Sequence, residues 1–208
     1  AKQTVNAPDG SVGSSQVAAS IITGQTAETS IATDDTVLIH DTSAGALRKM
    51  TRANFVSGVG GTNTPAFEAT KNAQQYGISL NSDVKITYET EIFDTAGNFA
   101  SSRFTPTTAG KYFVYCNQRL ITETNGTLSR AQLKIFKNGS QYQSAESDFN
   151  LTDGYIRATN NNISSVIDMN GSSDYVEIYG QIGNTNGNTT NTGFHQDAAV
   201  FGAYKIIE

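Results

Sequence analysis

Three carboxylates, Glu89, Glu91 and Asp94, cluster in one short stretch. On a strand, Glu89 and Glu91 would share a face roughly 7 Å apart, near the separation carboxylate pairs use in glycoside cleavage. Any solvated strand face shows the same pattern, and that plainer reading is preferred. The chain has two histidines, His40 and His195. His40 precedes Asp41 and shares parity with Leu38, as an ordinary strand histidine does. His195 follows a loop, where it could touch a ligand or simply serve as a polar strand-entry residue. The single cysteine, Cys116, shares parity with Tyr112, Val114 and Leu120 and reads as a small buried apolar residue. One cysteine allows no intrachain disulfide. The chain has no Gly-x-Ser-x-Gly elbow, phosphate-cradling glycine loop or His-Glu-x-x-His helix. No Asp-x-Asp-x-Asp loop suggests calcium. The expectation is therefore a protein that is not an enzyme, with no cofactor and no metal ligands assigned.

Recognition chemistry is better represented. Residues 181–193 read Gln-Ile-Gly-Asn-Thr-Asn-Gly-Asn-Thr-Thr-Asn-Thr-Gly, an uncharged loop between two apolar runs. Amides and hydroxyls can both donate to and accept from sugar hydroxyls. Asn184, Asn186, Asn188, Thr190 and Asn191, with His195 beyond them, form the candidate receptor-binding loop. A solvated hairpin loop is the plainer alternative for each residue taken singly.

The elements that would hold such a loop are strands. Charged residues are only 16% of the 208, below the usual quarter, and Ser, Thr, Asn and Gly fill the difference. That composition suits short strands and many turns. The net charge of −5, with no Lys/Arg cluster, argues against nucleic acid. No apolar run approaches the roughly 18 residues a membrane span needs, so no membrane insertion is expected.

Residues 1–20 are small and polar and read as an N-terminal arm. In 21–57, Thr36–Asp41 and Ala46–Thr51 form a hairpin around Thr42–Gly45. Thr51 then caps a short helix through Asn54, Phe55 and Val56, ended by Gly58. This unit is too small to bury much surface alone and needs copies of itself or a neighbour. Residues 58–65 read as a linker. From 66 to 208 the chain reads as β throughout. Expected strands are Ile86–Phe93, Gly110–Thr122, Leu128–Phe136, Tyr175–Ile182 and Ala199–Ile207, with a tight turn at Asn138-Gly139. Many short strands without helical periods indicate a sandwich or barrel.

Several segments of the 66–208 region, in order, resemble the C1q/tumour-necrosis-factor jelly-roll family. Ala66-Phe-Glu-Ala resembles its opening strand. Glu91-Ile-Phe-Asp with Asn98-Phe99 resembles its Phe…Asn-x-Tyr/Phe segment, and Phe104, Gly110 and Tyr112 fit its Phe-x5-Gly-x-Tyr core. Asp174–Tyr179 and Phe201-Gly-Ala-Tyr204 resemble its last two strands. The spacing from Phe99 to Phe104 is shorter than the family's, and Val114 and Cys116 stand where aromatics are usual. The resemblance implies an all-β jelly-roll head that works as a homotrimer and binds things. It also implies a trimer interface on one face of the Tyr112/Val114 and Tyr175/Tyr179 strands. Tyr112, Phe113, Tyr115, Tyr175 and Tyr179 are the candidate trimer or core aromatics, with the division between core and interface left open. Residues 34–55 (DDTVLIHDTSAGALRKMTRANF) resemble a hairpin-helix module of bacteriophage tail-fibre and virion-appendage proteins.

Together these resemblances imply a bacteriophage virion protein, located on the extracellular particle. It would be a short trimeric fibre or spike. The 21–57 module would serve attachment and trimerisation, contacting other virion structural proteins together with the arm. The 66–208 head would bind a host cell-surface glycan or protein. Six Asn-x-Ser/Thr sites, at Asn125, Asn138, Asn150, Asn162, Asn170 and Asn188, fit a chain never exposed to eukaryotic glycosylation. The alternatives are a capsid decoration or trimerising protein without receptor binding, and a secreted lectin-like module.

Overall fold

A computed structural model describes residues 8, 18–57, 63–122, 126–149 and 155–206. The rest of the expected arm, Gly58 and residues 59–62 of the expected linker lie outside them. The chain divides into two compact units, Ala1–Gly60 and Gly61–Glu208.

The first unit contains α1 (Ser20–Thr23), β1 (Thr36–Asp41), β2 (Ala46–Thr51) and α2 (Arg52–Ser57). β1 and β2 pair antiparallel from Thr36↔Thr51 to Asp41↔Ala46. Asp41 shapes the turn. Its Oδ1 accepts hydrogen bonds from Ser43 Oγ at 2.7 Å and Ala44 N at 3.1 Å, and Gly45 takes the left-handed φ of 60° that closes it. Asn54 N donates to Thr51 Oγ1 at 3.3 Å, which starts α2 as an N-cap does. No described residue of this unit is buried. Ile31, Val37, Phe55 and Val56 line an open groove of about 670 Å³ together with Glu28, Asp35, Thr36 and Arg52.

The second unit runs β3 (Ala66–Thr70), β4 (Gln75–Tyr76), β5 (Val84–Lys85), β6 (Thr90–Asp94), β7 (Phe99–Ala100) and β8 (Arg103–Phe104). It continues with β9 (Gly110–Ile121), β10 (Leu128–Lys137), β11 (Ser140–Asp148), β12 (Ala158–Met169), β13 (Val176–Asn184), β14 (Gly193–Phe194) and β15 (Val200–Lys205). Among the described residues they form two antiparallel sheets of seven and six strands. In the seven-stranded sheet β9 is central. β12 pairs along one edge of it, from Ala158↔Ile121 to Met169↔Gly110. β14 and β15 follow each other along its other edge. Beyond β15 lie β3 and then β6, while β4 pairs with β14. The six-stranded sheet runs β11-β10-β13-β8-β7, with β5 also against β13.

Alternation decides which side chains meet between the sheets. Along β9, Tyr112, Val114, Cys116, Gln118 and Leu120 are buried, and the residues between them are not. β10 contributes Leu133 and Ile135, β13 Val176 and Ile178, and β15 Phe201 and Ala203. Phe67 sits at the centre of an aromatic cluster. Its ring stacks on Phe99 at 4.6 Å and Phe104 at 4.5 Å and meets Phe201 edge-on at 4.9 Å. Asn138 and Gly139 both take positive φ, 51° and 77°, as a tight two-residue hairpin turn requires.

The structure departs from the expected long strands at two places. Of the expected strand Ile86–Phe93 only Thr90–Phe93 is strand, within β6, because the chain changes sheets between β5 and β6: β5 pairs with β13 and β6 with β3. Ile86 and Tyr88 stay buried through the crossing, so the sequence alternation continues while the pairing breaks. β12 was not among the expected strands. Its outward positions are Asn160, Asn162, Ser164, Val166 and Asp168, all polar but Val166, and they conceal an inward row of Asn161, Ile163, Ile167 and Met169. Buried Asn161 joins the sheets, its Nδ2 donating to Ala131 O at 3.0 Å and its Oδ1 accepting from Ser147 Oγ at 3.2 Å.

Candidate functional site: the outward face of the seven-stranded sheet

Residues that alternate away from the core assemble one continuous face. Register places Val166 of β12, Phe113 of β9 and Tyr204 of β15 in one row, and Ser164, Tyr115, Gly202 and Glu68 in the next. The third row is Asn162, Asn117, Val200 and Thr70. Phe113 contacts Tyr204 at 5.5 Å and Tyr115 at 6.1 Å between ring centroids. Val166 is 45% exposed and Tyr204 37%, so apolar surface lies open on a sheet whose other face is already packed.

Gly202 makes the middle row possible. A Cβ there would come within 2.3 Å of the Tyr115 hydroxyl. Without one, the ring lies across β15, and its Oη donates to Glu68 Oε2 at 2.6 Å. Burial, and then Glu68, hold the phenol well above its ordinary pKa, so it remains a donor. The face thus combines aromatics with a hydrogen-bonded carboxylate. It has the apolar centre and polar margins of a protein–protein interface.

The five predicted aromatics do not share a surface. Tyr112 is fully buried against Phe104 at 5.7 Å, with its hydroxyl donating to Thr108 O at 2.7 Å. Phe113 and Tyr115 lie on the outward face just described. Tyr175 and Tyr179 belong to the other side of the sandwich. The Arg103 guanidinium lies 3.8 Å from the Tyr175 ring, and Tyr179 stacks on Phe136 at 4.1 Å. The single face expected from the Tyr112/Val114 and Tyr175/Tyr179 strands is therefore divided between the core and the back of the opposite sheet. Tyr204, Val166, Gly202 and Asn117 were not singled out from sequence. Once β9 and β15 are paired, the parity of Phe113 and Tyr115 identifies Tyr204 and Gly202 directly.

Glu177 anchors the opposite sheet's outer surface. It is only 2% exposed and accepts from Lys85 Nζ at 2.6 Å and Arg103 Nε at 2.8 Å. Burial alone would raise its pKa. The hydrogen bonds and charges of Lys85 and Arg103 outweigh that and hold the carboxyl below its ordinary 4.5. With the folded pKa below the unfolded one, its contribution is complete above about pH 4.5 and is lost as pH falls through the folded value. Glu177→Gln should therefore lower stability by about 2 kcal/mol at pH 7, a buried-pair value reduced because both cations are partly exposed. Urea titrations of both proteins at pH 7 and pH 3 check this: the difference should shrink in acid, and a pH-independent gap would refute the charge argument.

The candidate receptor-binding loop bonds three of its amides to its own backbone. Asn184 Oδ1 accepts from Gly187 N at 2.8 Å, and its Nδ2 donates to Asn188 O at 2.6 Å. Asn186 Oδ1 accepts from Asn188 N, and Asn188 Oδ1 from Thr190 N. Thr190 and Asn191 are exposed at the tip, with Asn191 at φ 61°. His195 is half-buried at the loop's base. Its Nε2 lies 2.9 Å from Gln74 Nε2 and its Nδ1 accepts from Asp197 N at 3.2 Å. These contacts tie β14 to the β3–β4 connection and leave His195 a structural role.

Several of the catalytic candidates are committed to the fold. Glu89 accepts from Thr87 Oγ1 at 2.5 Å and lies 3.5 Å from the buried Lys71 Nζ. Asp94 accepts from Ala96 N and Phe99 N, at 3.1 and 2.7 Å, and so closes the turn into β7. Glu91 is exposed. His40 and Asp41 alternate on β1, and Asp41 is engaged by its turn and by Arg48 at 3.3 Å. Cys116 is buried, its Sγ 3.1 Å from Tyr88 Oη. Burial pushes its thiol up to about 12, so it is no nucleophile near neutral pH. Among the described residues no group of three or more His, Cys, Asp or Glu could hold a metal ion.

No protein-family model matches the chain, and no curated protein matches it. Solved structures do. Eiger TNF from S. frugiperda is 8% identical over 68% of this chain and 91% of its own, with a TM-score of 0.51. Murine APRIL at pH 5.0 is 7% identical over 68% of this chain and 98% of its own, with a TM-score of 0.49. At these identities the likeness concerns fold alone: the chain is all-β, and its large unit is a jelly-roll sandwich of the tumour-necrosis-factor type.

Proposed function

We propose that the chain is a homotrimeric binding protein, a short fibre or spike of a bacteriophage particle. Its first unit attaches to other virion proteins, and its jelly-roll head meets a host-surface glycan or protein. The observation that carries the trimer is the open aromatic face of Phe113, Tyr115, Tyr204 and Val166. A sheet already packed on one side leaves this apolar surface uncovered, and two further copies of the head would cover it. The first unit supports attachment. It has no buried residue among those described, and its groove of Ile31, Val37, Phe55 and Val56 needs a partner. The resemblance of residues 34–55 to virion-appendage modules supports the setting. The engagement of Glu89, Asp94, Asp41, His195 and Cys116 in contacts within the fold supports binding over catalysis.

A second reading, a decoration or trimerising protein without receptor binding, draws support from the bonds of Asn184, Asn186 and Asn188 to the loop's own backbone. Labelled full-length protein separates the two. A host-binding spike binds intact host bacteria and competes with phage adsorption. A protein that binds phage particles yet leaves adsorption unchanged is the decoration protein.

A further inference from the structure

The hairpin of the first unit leaves two strand edges open. Among the described residues its sheet consists of β1 and β2 alone, so each strand has one edge without a ladder partner. No described backbone hydrogen bond from outside the hairpin reaches Val37–His40 or Leu47–Met50. In an antiparallel pair alternate residues turn their N–H and C=O outward, and such a row is a template for another strand. Leu38 and Leu47 are exposed on one face of the hairpin, and no described residue of the unit is buried. The two edges differ in charge. Asp34 and Asp35 precede β1 and Asp41 ends it, whereas β2 carries Arg48 and Lys49 and runs into Arg52. Two β2 edges would set bases against bases, and two β1 edges acids against acids. Only a β1 edge against a β2 edge brings unlike charges together.

We propose that three copies of the chain pair these edges head to tail, β1 of each against β2 of the next. The occupant of each open edge is thus a second copy of this chain. A three-fold axis keeps all three hairpins pointing the same way, so each β1 meets a β2 that runs antiparallel to it. Six strands then close into a ring without a free edge. A ring that repeats the register within the hairpin, with Thr36 level with Thr51, sets Asp34 and Asp35 beside Arg52 of the next copy. Only eight residues, 58–65, separate α2 from β3, a reach of at most about 30 Å. Heads joined as a trimer therefore hold the three hairpins at high local concentration, where short edges that are weak alone can pair.

This inference rests on the trimeric reading, and the test separates the two. Sedimentation reads the assembly of full-length wild type, Phe113→Glu and Lys49→Glu/Arg52→Glu at pH 7. Hydrogen exchange of the amides of residues 36–51 reads the edges. In the wild-type trimer these amides should exchange at least about tenfold more slowly than in the Phe113→Glu monomer. Lys49→Glu/Arg52→Glu sets acids against acids at every edge. It should remain a trimer through its head, with these amides exchanging as fast as in the monomer. Slow exchange retained in the charge variant overturns the edge pairing alone, and so does equal exchange in the wild-type trimer and the Phe113→Glu monomer. If Phe113→Glu stays a trimer, the charge variant decides by itself. A monomeric wild type overturns the trimer and the pairing with it.

Discussion

Phe67→Ala should lower the stability of the head by about 3–5 kcal/mol, as removal of a fully buried phenylalanine does. Typical domains hold only about 5–15 kcal/mol in total, so much of the variant would be unfolded at mild urea concentrations. The size of the effect follows from where the ring sits. Phe67 belongs to β3, a five-residue strand between β15 and β6. Its ring reaches Phe99 and Phe104 of the six-stranded sheet and Phe201 of its own. One side chain thus joins both sheets near the pairing of the head's first and last strands. Its loss leaves a cavity lined by three rings that are themselves held in stacked and edge-on geometry. Phe67→Leu keeps most of the volume and should cost about 1–2 kcal/mol. Equilibrium urea unfolding measures both. A loss below about 1 kcal/mol for the alanine would show that the cluster repacks and that Phe67 is not its centre.

Phe113→Glu should abolish trimer assembly while leaving the fold intact. Phe113 is half-buried, between exposed Val166 and Tyr204 on the outward face. In a separate chain the glutamate can reach water, so the cost to folding is about 1 kcal/mol or less. In a trimer formed through this face, three carboxylates would be buried without partners, which is far more costly than the lost apolar contact. Tyr155→Glu is the control. Tyr155 is 89% exposed, and its substitution should change nothing. A Phe113→Glu protein that still sediments as the trimer would mean that assembly uses another surface.

The sequence showed local pattern well and spatial neighbours poorly. The inward parity of Tyr112, Val114, Cys116 and Leu120 could be read because β9 alternates from Tyr112 to Leu120. The turns at Thr42–Gly45 and Asn138-Gly139 could be read because their residues tolerate positive φ. β12 was hidden because its outward row is mostly polar and one of its inward positions is Asn161, whose amide bonds to Ala131 and Ser147 of the opposite sheet. The aromatics could not be sorted by parity alone. Whether Tyr179 and Tyr115 share a surface depends on strand order, and β9 and β13 lie in different sheets. The loop amides looked like ligand donors because composition does not reveal that an asparagine bonds to backbone two or three residues on.

The solution mass of the full-length protein tests the central claim most directly. Sedimentation equilibrium across a micromolar concentration range should give a trimer of the 22.2 kDa chain, about 67 kDa. A single species at the mass of one chain throughout that range would contradict it.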